Sequence, residues 1–170
     1  MTREQHTAAE IVQTLETVAR AVREKGDAAA IFAAVDRAIG GTIGYRLLTI
    51  MRYHDDTAES ERVYSSNPGA YPVGGRKVLP ATRWAERVLQ QRQPFLARNA
   101  DDIREIFPDH RLIASLGLQS AMNLPVVRGG AVLGTLNLLH QENWYDEGDF
   151  ALGAVFAALA IPAFDMLADL

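Results

Sequence analysis

The sequence predicts an α+β domain in which helices pack on one antiparallel sheet. Three observations carry that expectation. Segments near both ends repeat apolar residues at helical spacing, two stretches between them read as β-hairpins, and an interrupted helical region separates the hairpins.

From Ala8 to Val22 the apolar residues Ala8, Ile11, Leu15, Val18 and Val22 form a helix seam. A second helix follows Gly26, with Asp27 as N-cap, Ile31, Phe32, Val35 and Ile39 on one side, and Gly40-Gly41 as its stop. Tyr45 to Tyr53 is rich in β-formers and apolar on both faces at its centre, as a central strand requires. His54-Asp55-Asp56 turns the chain, and Glu61 to Ser65 returns as the partner strand, closed by Asn67-Pro68-Gly69. Ala70 to Leu79 has no clear period and contains Pro72, Gly74 and Gly75, so it is expected to be a loop bordering a site.

A short helix capped near Thr82 carries Trp84, Val88 and Leu89, and Phe95 to Ala97 is a short strand. Asn99 to Gly117 is irregularly helical, interrupted at Pro108, with the character of a lid. Gln119 to Val127, the turn Arg128-Gly129-Gly130, and Ala131 to Leu139 make the second hairpin. A final helix from Asp146 carries Phe150, Val155, Phe156, Leu159 and Leu167, and Pro162 should kink or interrupt it. The acidic groups at Asp101-Asp102 and at Asp146, Glu147 and Asp149 suit helix starts, which accounts for them without catalysis.

Composition narrows the function. The 170 residues fit one domain, 1–170, with 1–25 an N-terminal helical segment expected to serve in dimerisation. Lys and Arg number 17 against 21 Asp and Glu, a net charge of -4 that would on average repel a phosphate backbone, so no nucleic-acid partner is expected. The longest apolar stretch, Ala151 to Ala163, falls short of the roughly 20 residues of a membrane span, and the amino terminus lacks a signal pattern; no membrane partner and a cytoplasmic location are expected. With no cysteine, disulfides, thiolate nucleophiles, thioether-held chromophores and cysteine-ligated metals are removed together. The histidines His6, His54, His110 and His140 have no paired spacing, so no metal site is expected.

The segment from Leu118 through Asn123-Leu-Pro-Val-Val-Arg-Gly-Gly to Leu133-Gly-Thr-Leu-Asn-Leu138 resembles the signature of GAF domains, and the fit covers about Ala28 to Ala163. Pro125 removes a ladder donor near a strand end, and Gly134 lets another chain segment come close. The resemblance implies a GAF-like (profilin-like) fold: a central antiparallel sheet of about five or six strands, terminal helices on one face, and a ligand pocket roofed by helices and loops on the other. It also implies a free-standing sensor or regulatory domain that binds a small molecule, of unknown identity, with no cofactor specified.

In the second hairpin, alternation puts Ser120, Met122, Leu124 and Val126 on the core face and Gln119, Ala121, Asn123 and Pro125 on the other. A three-residue loop would set Asn123 opposite Thr135 and Ala121 opposite Asn137; a two-residue loop would shift that register by one. Asn123 and Asn137 either bond each other and nearby backbone or serve a ligand. Ser120 is read as structural. Candidates to face the ligand from the lid are Phe107, His110, Arg111 and Ser115, with Trp84 and Phe95 as an apolar wall, and His110 with Arg111 suited to a carboxylate or phosphate.

Three functions are open: a small-molecule sensor; a ligand-free dimerisation module using the Ala8–Val22 seam and the final helix; and an enzyme. Some single-domain GAF proteins, which this chain resembles in length and layout, reduce free methionine sulfoxide through cysteine thiolates. This sequence lacks a cysteine at every such position, so that activity is not carried over and no catalytic residue is assigned. A covalently held bilin is excluded on the same ground.

Overall fold

The computed structural model describes residues 5–24 and 26–168, so the ends of the expected 1–25 segment lie outside the described residues. Helices α1 (Ala8–Glu24) and α2 (Ala28–Gly40) lead into β1 (Leu47–His54), β2 (Glu59–Ser65) and β3 (Gly74–Val78). A short helix α3 (Arg83–Ala85) runs on into a π-helical turn (Glu86–Gln90) and is followed by β4 (Phe95–Ala97), α4 (Ala100–Ile106) and α5 (His110–Ser115). The hairpin β5 (Ser120–Arg128) and β6 (Ala131–His140) and the long α6 (Phe150–Ala168) complete the chain. The six strands form one antiparallel sheet in the order β3-β2-β1-β6-β5-β4, with β1 and β6 at its centre.

Most of the local signals act as expected. Asp27 accepts a hydrogen bond from the Ala30 N–H at 2.7 Å, Thr82 accepts from Ala85, Asn99 from Asp101 and Asp102, and Asp146 with Asp149 makes a reciprocal capping box. Ser120 is structural: its hydroxyl donates to the Gln141 carbonyl at 2.6 Å.

Three expectations are corrected. Residues 74–78 form a strand instead of lying within a loop; β3 is an edge strand exposed along its whole length, so no alternation betrayed it. Helix α6 continues through Pro162 without interruption. The hairpin turn has two residues, Gly129 and Gly130, both at positive φ, and Arg128 pairs with Ala131. A bulge at Val126/Val127 then adds a further shift, so Asn123 pairs with Asn137, Ala121 with Leu139, and Pro125 with Thr135. Two one-residue shifts restore the expected faces while moving every expected partner by two positions.

The terminal helices cover one face. Leu48, Ile50, Met122, Leu124, Leu136 and Leu138 of the sheet meet Ile31, Phe32 and Val35 of α2 and Phe156, Ala160 and Phe164 of α6 in the main core. Gly134 permits the close approach of α6, since a Cβ there would stand 2.0 Å from the Met51 carbonyl oxygen and 2.5 Å from the Phe164 ring. The stretch Glu147–Ala168 is long and apolar enough to cross a membrane by length and composition, unlike the shorter run read from sequence. In the fold Gly153, Phe156, Ala157, Ala160, Ala163 and Phe164 are buried, so one face of this helix serves the core. The α1 seam also turns inward, with Val18 fully buried and Leu15 and Val22 packed on the same core.

Candidate functional site

The opposite face of the sheet is covered in two ways. At the β4–β5 end it packs solidly, because Phe95, Ala97, Val88, Ile103, Ile113 and Leu118 form a second apolar core with Ala121 and Leu139. Over the middle of the sheet the covering elements stand off and leave a partly open cavity of about 400 Å3. Its floor is Leu47, Thr49 and Met51 of β1, Ala121 and Asn123 of β5, and Thr135, Asn137 and Leu139 of β6. Trp84 and Leu89 wall one side, Ile106, Phe107, Pro108, Asp109 and Ile113 another, and Ser60, Arg62, Tyr71 and the segment from Lys77 to Pro80 close the remainder.

The polar floor is internally bonded. Asn123 Nδ2 donates to Asn137 Oδ1 at 2.7 Å, Asn137 Nδ2 donates to Thr49 Oγ1 at 3.4 Å, and Trp84 Nε1 donates to Asn123 Oδ1 at 3.0 Å. Of the two readings open for the asparagines, mutual bonding is the one observed. The chain Trp84-Asn123-Asn137-Thr49 ties one wall to three adjacent strands, fixing polar atoms on the cavity floor without needing a ligand to satisfy them.

At the β2 side a second polar group stands at the wall. A bulge between Ile50 and Met51 lets Tyr64 pair with Ile50 and pack towards Phe32 on the helix face, while Arg62 pairs with Met51 on the cavity face. The Arg62 guanidinium lies 4.9 Å from the Tyr71 ring centre and donates through Nη1 to the Pro72 carbonyl at 3.0 Å. Burial draws the Arg62 pKa down, and the neighbouring Tyr71 and Asp109 oppose that shift. Tyr71 in turn donates to Asp109 Oδ2 at 2.8 Å; burial first, and that bond second, raise its phenol well above the ordinary range.

Of the residues singled out from sequence, the structure brings Trp84, Phe107, Asn123, Thr135 and Asn137 together on the cavity and leaves five outside its lining. Phe95 faces the same side but is absorbed in the second core. In α5, Ile113 points inward, so Arg111 and Ser115, each two residues away, project to solvent, where Ser115 donates to the Leu112 carbonyl. His110 is half-buried, its Nδ1 without a hydrogen-bond partner among the described residues, and Gln119, just before β5, is exposed. The His110–Arg111 pair is therefore not presented to the cavity; the preceding turn, Phe107 to Asp109, is. Sequence reasoning missed Thr49, Arg62, Tyr71 and Asp109. Thr49 left a signal, a hydroxyl inside an apolar strand, whereas the other three meet only through the β2 bulge and the Tyr71 loop.

A six-stranded antiparallel sheet, helices from both chain ends on one face and a roofed cavity on the other are the architecture of a GAF-like α+β domain. The GAF domain family model matches residues 8–165, and the chain belongs to that family. A GAF domain from a phosphoenolpyruvate-protein phosphotransferase of Coxiella burnetii superposes with a TM-score of 0.75 at 15% identity, covering 96% of this chain and 98% of that one. The chromophore-binding domain of an unusual bacteriophytochrome from R. palustris gives a TM-score of 0.68 at 9% identity, covering 98% and 65% respectively. The free methionine-R-sulfoxide reductase of Neisseria meningitidis, in complex with its substrate, gives 0.67 at 12% identity, covering 99% and 97%. At these identities the likeness shows the shared fold. No curated protein matches the chain.

Proposed function

We propose that this protein is a small-molecule-binding sensor or regulatory GAF domain and that its ligand occupies the cavity over β1, β5 and β6. The observation that carries this reading is the standoff between sheet and roof. A space of about 400 Å3 lies over a fixed polar patch, Thr49, Asn123 and Asn137, and has mostly apolar walls. That combination of volume, apolar lining and few convergent polar groups is what ligand pockets have in common. GAF domains in general bind small molecules in sensors, which supports the same reading. It includes no catalytic step, and it leaves the cytoplasm as the proposed location.

The test is a thermal-shift screen with nucleotides, amino acids and organic acids, in which a ligand of the native state raises Tm by mass action. Asn123→Leu removes the acceptor of Trp84 and the donor to Asn137, and is expected to cost about 1–3 kcal/mol of stability while abolishing any ligand-induced shift. A shift that survives unchanged in a folded variant would place the ligand elsewhere.

Self-association through the terminal helices is the second reading, supported by Val12 of α1, 64% exposed, and Val155 of α6, 41% exposed. Leu15 of the seam packs on the core, so the exposed Val12 and Val155 are the positions to test. Native mass spectrometry should give a dimer that Val12→Glu with Val155→Glu dissociates; a monomeric wild-type mass rejects the reading.

A further inference from the structure

We propose that the cavity takes a monocarboxylate with an apolar body, its carboxylate held by Arg62. This rests on the cavity being a ligand site, and it adds the chemical class. Among the ionisable side chains of the lining, Arg52 sends its guanidinium away to the Leu167 carbonyl on the helix side. Lys77, on the exposed strand β3, keeps its charge in solvent, so Arg62 is the cation held within the mostly apolar wall, with Asp109 nearby. An anionic group brought to Arg62 meets its charge there, whereas a cation is repelled by it.

Arg62 is also built to receive that charge. Its plane is set by the Tyr71 ring and its Nη1 is tied to the Pro72 carbonyl. Among the described residues Nη2 has no hydrogen-bond partner, and Nε is buried without one. The Nε–Nη2 edge thus holds two parallel donors lacking acceptors, which matches the two oxygens of a carboxylate. A buried donor left unpaired is costly, so an acceptor brought to this edge relieves that deficit.

Register gives the rest of the ligand its course. Arg62 pairs with Met51, and Met51 with Thr135, so three adjacent strands line up Arg62, Met51 and Thr135 across the sheet. Neighbouring strands lie about 4.8 Å apart, which puts the Arg62 and Thr135 backbone positions roughly 10 Å apart. An apolar body lying on Met51 spans that interval and can end in a polar group at Thr135 or Asn137.

The experiment uses matched probes on the whole chain, with calorimetry and thermal shift: 4-phenylbutyrate and hexanoate, their primary amides, the corresponding amines, phenyl phosphate, and a nucleoside set. Acids are expected to bind at least about tenfold more tightly than their amides, with no response to the amines. Arg62→Gln should weaken acid binding by about tenfold or more, while Arg62→Lys, which keeps the charge and loses the fork, recovers only part of it. Circular dichroism and the unliganded Tm verify that both variants fold. Acids and amides binding equally, a preference for amines or phenyl phosphate, or acid affinity unchanged in Arg62→Gln would each overturn the carboxylate while leaving the ligand site standing. Silence from every probe, nucleosides included, would count against the ligand site itself and take this inference with it.

Discussion

The two faces of the sheet are built by opposite rules. On the helix face, large apolar side chains interlock with α2 and α6 until Gly134 and Gly153 are needed to admit neighbours: a Cβ on Gly153 would stand 2.7 Å from a Leu124 methyl. On the other face the elements between β2 and β5 pack only at one end and stand clear at the other, over side chains that include a bonded amide pair. The contrast teaches that the fold draws most of its stability from one side and leaves open space on part of the other. Mutations that merely remove volume should therefore differ sharply in cost between the faces.

The largest effect is expected at Phe156, fully buried between α6 and the sheet. Phe156→Ala should destabilise by about 3–5 kcal/mol in chemical denaturation. Next is Gly134→Ala, because the Met51 carbonyl belongs to the central β1–β6 ladder and cannot retreat without opening it; a loss of about 3 kcal/mol is expected. Met51→Ala, half-buried on the cavity floor, should cost only about 1 kcal/mol, since it enlarges a space that already exists. Should it cost as much as Phe156→Ala, the two faces would be equally load-sharing and the contrast would fail.

The smallest effect concerns acid. His140, at the end of β6, stacks on Trp144 with ring centres 3.7 Å apart, and its Nδ1 accepts the Gln141 N–H at 2.8 Å. Burial, with a lesser push from Arg46, holds its pKa down at about 4, below the roughly 6.5 of an unfolded chain. Between those values the unfolded chain binds the extra proton, so stability is fully present above about pH 6.5 and is lost as pH falls towards 4. By about pH 5.5 a loss of about 1 kcal/mol from this group is expected on that linkage. His140→Phe keeps the stacking surface and should flatten that part of the profile; an unchanged slope would mean the proton is taken up elsewhere.

Local chemistry made much of this legible in the chain itself. Caps at Asp27, Thr82 and Asp146, the glycine turn at 129–130 and the alternation of β5 act over a few residues, where backbone dihedrals and hydrogen-bonding side chains leave few choices. The face assignment of Asn123, Thr135 and Asn137 followed from the two-residue period of a strand, and survived a wrong loop length because the bulge cancelled it. The helical spacing around Ile113 was equally available, and applying it would have excluded Arg111 and Ser115 from the cavity.

What only the tertiary structure decided is which distant segments meet. Strand β3 exists because β2 offers an unpaired edge, α6 continues past Pro162, and Arg62, Tyr71 and Asp109 converge from three separate segments. The physical reason is range. Propensity and periodicity are settled by neighbours in sequence, whereas an edge pairing, a bulge or the height of a roof is settled by packing among elements that the order of residues leaves unspecified.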